Sequence, residues 1–278
     1  MVKACGGWIF AILVVLAFSL AVPVFAGGGG TGDRSTEWLG QVSPRVDFDS
    51  ISYAGGTMMG LMDGKVVLLR KYDDGIGWLV IEETNTTCTF PVADKGILGY
   101  NAKGQLCRWN AGRTSVLYQQ AFKQQIKPAC SEALIVFGGD GVLVFMSRTG
   151  KSTQMKLPGF TLKSVTIASD LGAIYFTASD GLKSRLYLAY PSFPAGYRYN
   201  AVANMEAEQV CYGASRLYLV DKWGITSWYI ESGQFKRDSV IMACAGPYVL
   251  CGGDKGAVYF FTGYGGVNTV GVPDPGKG

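Results

Sequence analysis

Histidine does not occur anywhere in the 278 residues. Its absence removes Ser-His-Asp and Cys-His catalysis, histidine-ligated metals and an axial haem histidine. It also removes the side chain whose charge switches most readily near neutral pH. No Cys-x-x-Cys spacing occurs, so no zinc site is expected. Charged residues are scarce at 17%, and the net charge of +4 is unclustered, with basic groupings no longer than dipeptides such as Lys236-Arg237. A nucleic-acid partner needs a basic stripe interleaved with stacking aromatics, and none is expected here.

The long apolar run is at the N-terminus. Trp8 to Leu20 is apolar except for Ser19, Lys3 precedes it, and Val24-Phe25-Ala26 precedes four glycines. This pattern is that of a secretory signal peptide over residues 1–26, with small residues at the cleavage site. An uncleaved anchor is the other reading, since the segment approaches spanning length, but Pro23 interrupts it. Cleavage leaves a secreted or periplasmic chain with no membrane span. No lipid-attachment cysteine follows the run.

Glycine is plentiful at 39 residues, and aromatics reach 13%. Gly64, Gly104, Gly141, Gly181, Gly224 and Gly256 recur at intervals of 40, 37, 40, 43 and 32, mostly with short apolar runs on both sides. Two strands and a glycine turn per unit of about 40 residues predict an all-β chain folded as a β-propeller. The spacing gives six blades, with seven also possible, over residues 46–272. The six glycines are expected between the second and third strands of their units. Units fall near 46–86, 87–120, 121–159, 160–203, 204–239 and 240–272. Further turn signals, YDDG, NAGR, RTGK, ESGQ and TGYGG, are read as following the third strands. The apolar runs are nearly continuous because propeller blades pack face to face and bury central strands on both sides. Residues 27–45 read as a glycine-rich linker in which WLGQVSP is a possible ring-closing strand. Residues 273–278 read as a flexible tail. A sandwich lacks a 40-residue repeat, and a parallel β-helix repeats at a shorter period.

Six cysteines lie beyond the signal segment: Cys88, Cys107, Cys130, Cys211, Cys244 and Cys251. An even count in an oxidising compartment allows disulfides. Cys130, Cys211 and Cys244 occupy similar places in their units, too far apart to bridge one another. Cys251, inside YVLC, reads as a buried strand thiol. Full pairing and mixed usage with buried free thiols both remain open.

YGASRLYLVDKWGITSWYIESGQ resembles the quinoprotein-type, PQQ-like propeller repeat: an apolar strand, an Asp-x-x-Gly turn, a second apolar strand, then a Ser/Thr-Gly turn. PYVLCGGDKGAVYFFTGYGG is similar but weaker, and the resemblance covers about half the units. It implies the propeller fold. It does not extend to a quinone-dependent dehydrogenase, since the closing tryptophan is missing from most units and no Cys-Cys pair occurs. No cofactor is expected. Gly-His and Trp-Asp signatures of WD-type repeats are absent.

Candidate sites are few. The segment AYPSFPAGYRYN, Ala189 to Asn200, follows the third strand of the fourth unit. It carries Tyr190, Phe193, Tyr197, Arg198 and Tyr199 together with Pro191 and Pro194. Rings on a proline-stiffened loop suit a partner surface because they bury area at little entropic cost; alternatively they fold back and complete the core. Trp223, at a turn where other units use Asp or Lys, is a second partner-contact candidate or packs on a neighbouring blade. Asp73-Asp74, Asp140, Asp180 and Asp254 read as turn formers. TASDGLKSR matches only part of a sialidase Asp-box, and no EF-hand-like loop occurs. Asn85 begins a glycosylation sequon. The sequence therefore favours a non-catalytic module that binds a protein or glycan. A carboxylate-dependent glycosidase or lyase working in the central channel is the alternative.

Overall fold

The computed structural model describes residues 37–41 and 48–271, apart from 55–56, 72–77, 85, 193–195, 214, 223, 232–233, 243–247, 254–256 and 263–266. The signal-peptide reading of residues 1–26 and the tail 273–278 lie outside the described residues, as do Phe193, Trp223, Asn85 and Cys244.

The described residues form an all-β propeller built of four-stranded antiparallel sheets. β1 (Glu37–Gln41) joins the end of the chain and is taken up below. The first run of consecutive strands is β2 (Ser50–Ala54), β3 (Thr57–Met62), β4 (Lys65–Lys71) and β5 (Trp78–Glu83). It is followed by β6 (Thr89–Ala93), β7 (Ile97–Tyr100), β8 (Leu106–Asn110) and β9 (Arg113–Val116). Then come β10 (Gln125–Cys130), β11 (Leu134–Gly139), β12 (Val142–Ser147) and β13 (Ser152–Lys156). The fourth run is β14 (Thr161–Ala168), β15 (Ala173–Ser179), β16 (Ser184–Ser192) and β17 (Gly196–Glu206). The fifth is β18 (Gln209–Gly213), β19 (Arg216–Asp221), β20 (Gly224–Glu231) and β21 (Gln234–Met242). These five sheets each use consecutive strands. A further sheet has the order β1-β24-β23-β22, with β22 (Tyr248–Gly253), β23 (Ala257–Thr262) and β24 (Val267–Gly271). It joins both ends of the described chain, with Trp38 opposite Val270 and Gln41 opposite Asn268.

The first strands pack side by side around an axis: β2 beside β6, β6 beside β10, β10 beside β14, β14 beside β18, β18 beside β22, and β22 back beside β2. Apolar clusters fill the spaces between successive sheets. Central strands are buried on both faces, as β7 and β12 show, whereas the outermost strand β9 is exposed throughout. Near-continuous hydrophobic runs arise from that two-sided burial.

Two turns show why glycine marks the repeat. β3 and β4 are joined by Asp63-Gly64, and β11 and β12 by Asp140-Gly141. Both residues of each pair have positive φ, 50° and 73° in the first and 50° and 71° in the second. That is the two-residue type I′ hairpin, for which Asp-Gly is a preferred sequence. The Asp140 carboxylate also accepts from the Lys123 and Gln124 amides, at 2.7 and 2.9 Å, tying the turn to the start of β10.

The reading of the last unit needs correction. Gly64, Gly104, Gly141 and Gly181 stand between second and third strands and Gly224 opens a third strand, but Gly256 falls in the sequence between β22 and β23, the first and second strands of its sheet. The second and third strands of that sheet are β23 and β24, and the glycines of TGYGG fall between them in the sequence, so that signal does not follow a third strand. The physical reason is the closure: this sheet takes its outermost strand from the other end of the chain, so only three strands remain after β21. The short interval of 32 residues measured to the wrong glycine.

Candidate functional site

The first strands surround a central cavity of about 430 Å³. An inner strand is an edge, with one row of backbone groups that no neighbouring ladder satisfies. Placed polar side chains complete that row. Ser52 Oγ donates to the Pro91 carbonyl, joining β2 to β6. Ser164 Oγ accepts from the Val210 amide at 2.8 Å, and Thr166 Oγ1 from the Tyr212 amide at 3.0 Å, joining β14 to β18. Gln209 Oε1 accepts from the Leu250 amide at 2.9 Å, joining β18 to β22. Tyr100, fully buried, donates from its hydroxyl to the Ile126 carbonyl at 2.9 Å.

Lys127, on β10, reaches across the channel. Its ammonium donates to the carbonyls of Leu250 and Cys251 on β22, the latter at 3.1 Å, and more weakly to Ile51 on β2 at 3.5 Å. Burial pulls its pKa below the usual lysine value, with the neighbouring Cys251 and Cys211 opposing that shift. Cys130, Cys211 and Cys251 also line the channel. Burial pushes Cys130 and Cys211 up to about 12, so both are protonated thiols at neutral pH. The acidic residues of the channel lining are Asp49 and Glu208. Both precede the first residue of an inner strand, at one mouth, where the half-exposed Glu208 lies 3.8 Å from Lys163.

Cys88, Cys107, Cys130, Cys211 and Cys251 are free, which removes the fully disulfide-paired reading. Cys88, just before β6, and Cys107, on β8, are buried, while the channel cysteines stand on inner strands of different sheets.

The structure separates the candidate partner residues. Residues 189–192 and 196–200 are not loop but the facing ends of the long β16–β17 hairpin: Tyr190 pairs with Arg198 and Pro191 with Tyr197. Tyr197 stacks on Phe145 of the preceding sheet, with centroids 3.7 Å apart and planes 5° from parallel. Tyr199 meets Phe160, Phe176 and Tyr187 edge-on. These two rings pack between sheets, whereas Arg198 is exposed and Tyr190 half-buried. Antiparallel order puts the β16–β17 hairpin on the rim opposite the β19–β20 turn that contains Trp223.

Sequence reasoning passed over Lys127, Asp49 and Glu208. The available signal was QIKPAC, in which one lysine interrupts a strand whose Ile126 and Pro128 are buried. Among the described residues no group of three or more Cys, Asp and Glu could hold a metal, and no helix is long and apolar enough to cross a membrane.

No family model matches the chain, and no curated protein does. Solved structures do. A gluconolactonase from Xanthomonas campestris matches at TM-score 0.54 and 12% identity, over 89% of this chain and 99% of that one. Virginiamycin B lyase from Staphylococcus aureus matches at TM-score 0.53 and 12% identity, over 80% of each chain. The N-terminal domain of Nup159 matches at TM-score 0.51 and 11% identity, over 82% of this chain and 76% of that one. At such identities the likeness shows the propeller fold and nothing finer. Nothing in these comparisons is specific to quinoproteins.

Proposed function

We propose that the chain is a six-bladed propeller, secreted or periplasmic, that works as a non-catalytic module binding a protein or glycan partner. The observation that carries this reading is how the channel's reactive groups are used. The Lys127 ammonium ties β10 to β22 and β2, and two of the thiols are held protonated. These groups brace a scaffold. A histidine-to-alanine form of the lyase from Staphylococcus aureus is catalytically inactive, and this chain has no histidine with which to share such chemistry.

The partner surface we assign to the β16–β17 hairpin. Tyr197 and Tyr199 act as its footing, and the cross-strand pair Tyr190 and Arg198, together with Phe193, makes the contact. A hairpin anchored by stacked rings presents such residues with little ordering cost. Trp223, on the other rim, would serve a separate contact. The test is cross-linking capture with the wild-type chain and with a Tyr190→Ala, Arg198→Ala double variant. A partner captured by the wild type and lost by the variant at unchanged melting temperature is expected. Equal capture removes the hairpin from the interface.

A carboxylate-dependent glycosidase or lyase is the second reading, favoured by Asp49 and Glu208 at the same mouth. On that reading Glu208→Gln abolishes turnover of an oligosaccharide that the wild type cleaves; absence of wild-type turnover across uronic and neutral oligosaccharides removes it.

A further inference from the structure

The channel cavity contains a cation set apart from its two carboxylates, Asp49 and Glu208, which stand at one mouth. Lys127 lies across the cavity, and no carboxylate among the described residues comes within ion-pair distance of its ammonium. Two of its N–H groups reach β22 carbonyls closely, but the third contact, to the Ile51 carbonyl at 3.5 Å, is at the limit of a hydrogen bond. Neutral carbonyl dipoles compensate a buried charge only partly. One residue before Ile51, Ser50 also lines the cavity, and its hydroxyl oxygen is buried with no hydrogen-bond partner. Buried hydroxyls of this kind are rare unless a water or ligand completes them. Around these two polar groups the wall mixes the aliphatic Val92, Val165, Val210 and Leu250 with Ser52, Ser164 and Thr166, whose hydroxyls are already hydrogen-bonded to neighbouring strands. The volume of about 430 Å³ is that of a small-molecule site.

We propose that the channel binds a small monocarboxylate with an apolar body, its carboxylate facing Lys127 and Ser50 and its chain lying along the aliphatic part of the wall. One ammonium balances one negative charge. Lys127 would supply a charge-assisted N–H and Ser50 an O–H, and the anion would neutralise a cation that burial already disfavours. The site is distinct from the β16–β17 hairpin, so it stands or falls independently of the partner surface proposed there.

Hexanoate is a suitable probe, with hexanol as its uncharged counterpart. Calorimetric titration of the wild-type chain is expected to show saturable hexanoate binding at least tenfold tighter than hexanol. Lys127→Met keeps an unbranched apolar stem and removes the charge; it should weaken hexanoate at least tenfold and leave hexanol unchanged. Equal affinity for the two probes, no hexanoate binding at millimolar concentration, or unaltered hexanoate binding by the variant would each overturn the proposal. A measurement on the wild type alone guards against a variant that fails to fold. Reductive methylation followed by peptide mass spectrometry should find Lys127 protected by hexanoate but not by hexanol, and unchanged labelling counts against the site.

Discussion

Between the sheets carrying β10–β13 and β14–β17, rings make the contact: Phe145 of the first lies on Tyr197 of the second, beside Phe176 and Tyr187, which stack 5.1 Å apart across β15 and β16 within the second. Around the channel, single polar atoms make it: Ser52, Ser164, Thr166, Gln209 and Lys127 each meet a backbone group of another inner strand. The two regions answer different demands. A face between sheets needs apolar area, which many ring arrangements supply. An inner edge strand presents specific N–H and C=O groups, and each needs a partner at one place and direction. Substitutions on the faces should therefore be costly but graded, and those in the ring smaller but confined to one sheet junction.

The largest effect is expected from pH, and it acts on the ring. Cys130 and Cys211 in the channel, and Cys88 between sheets, have thiols that burial pushes from 9.0 up to about 12. In the unfolded chain these thiols ionise above about pH 9. Their burial stabilises the native state fully below pH 9, and that contribution is lost as pH rises towards 12, because unfolding then releases protons. Lys127 acts in the opposite sense: its native pKa is lowered, so its penalty fades as pH rises towards 10.5. Above about pH 10.5 the lysine is neutral in both states, and the thiols act without that opposition. The urea midpoint should fall between pH 10.5 and pH 12, and a midpoint unchanged across that window would break the comparison. The same burial should slow iodoacetamide labelling of these thiols at neutral pH by about a hundredfold relative to the urea-unfolded chain.

Phe176→Ala comes next. Phe176 is fully buried in the cluster between the two sheets, and its removal should cost about 3–5 kcal/mol in a denaturant titration. Ser164→Ala should cost less, about 1–2 kcal/mol, because it leaves the Val210 amide without its acceptor. Its effect should appear as faster hydrogen exchange at Val210, with the faces between other sheets unchanged. If Ser164→Ala were as costly as Phe176→Ala, the distinction between ring and faces would fail. Arg198→Ala is expected to be the smallest, within about 0.5 kcal/mol, since the side chain is exposed at its hairpin. A larger loss would mean that the hairpin surface is structural.

The repeat was legible because its two strongest demands are local. Asp63-Gly64 and Asp140-Gly141 need positive φ at both residues, and the strands beside them need continuous apolar runs. The last unit was misread because it depends on a distant segment: Glu37–Gln41 completes the sheet of β22–β24, and no local pattern near Gly256 reports it. The aromatic segment Ala189–Asn200 stood out by composition, but not that Tyr197 would meet Phe145, some fifty residues earlier in the chain.

What the sequence by itself determined is an all-β repeat with glycine turns, and a chain without histidine chemistry. Periodicity and turn conformation depend on residues a few places apart, so the chain order contains them. Only the tertiary structure decided that Lys127 crosses a channel to Leu250 and Cys251, more than a hundred residues away, while the channel thiols of Cys130 and Cys211 stay protonated. Ring closure brings those groups together, and the desolvation that sets their charge exists only once the ring is closed.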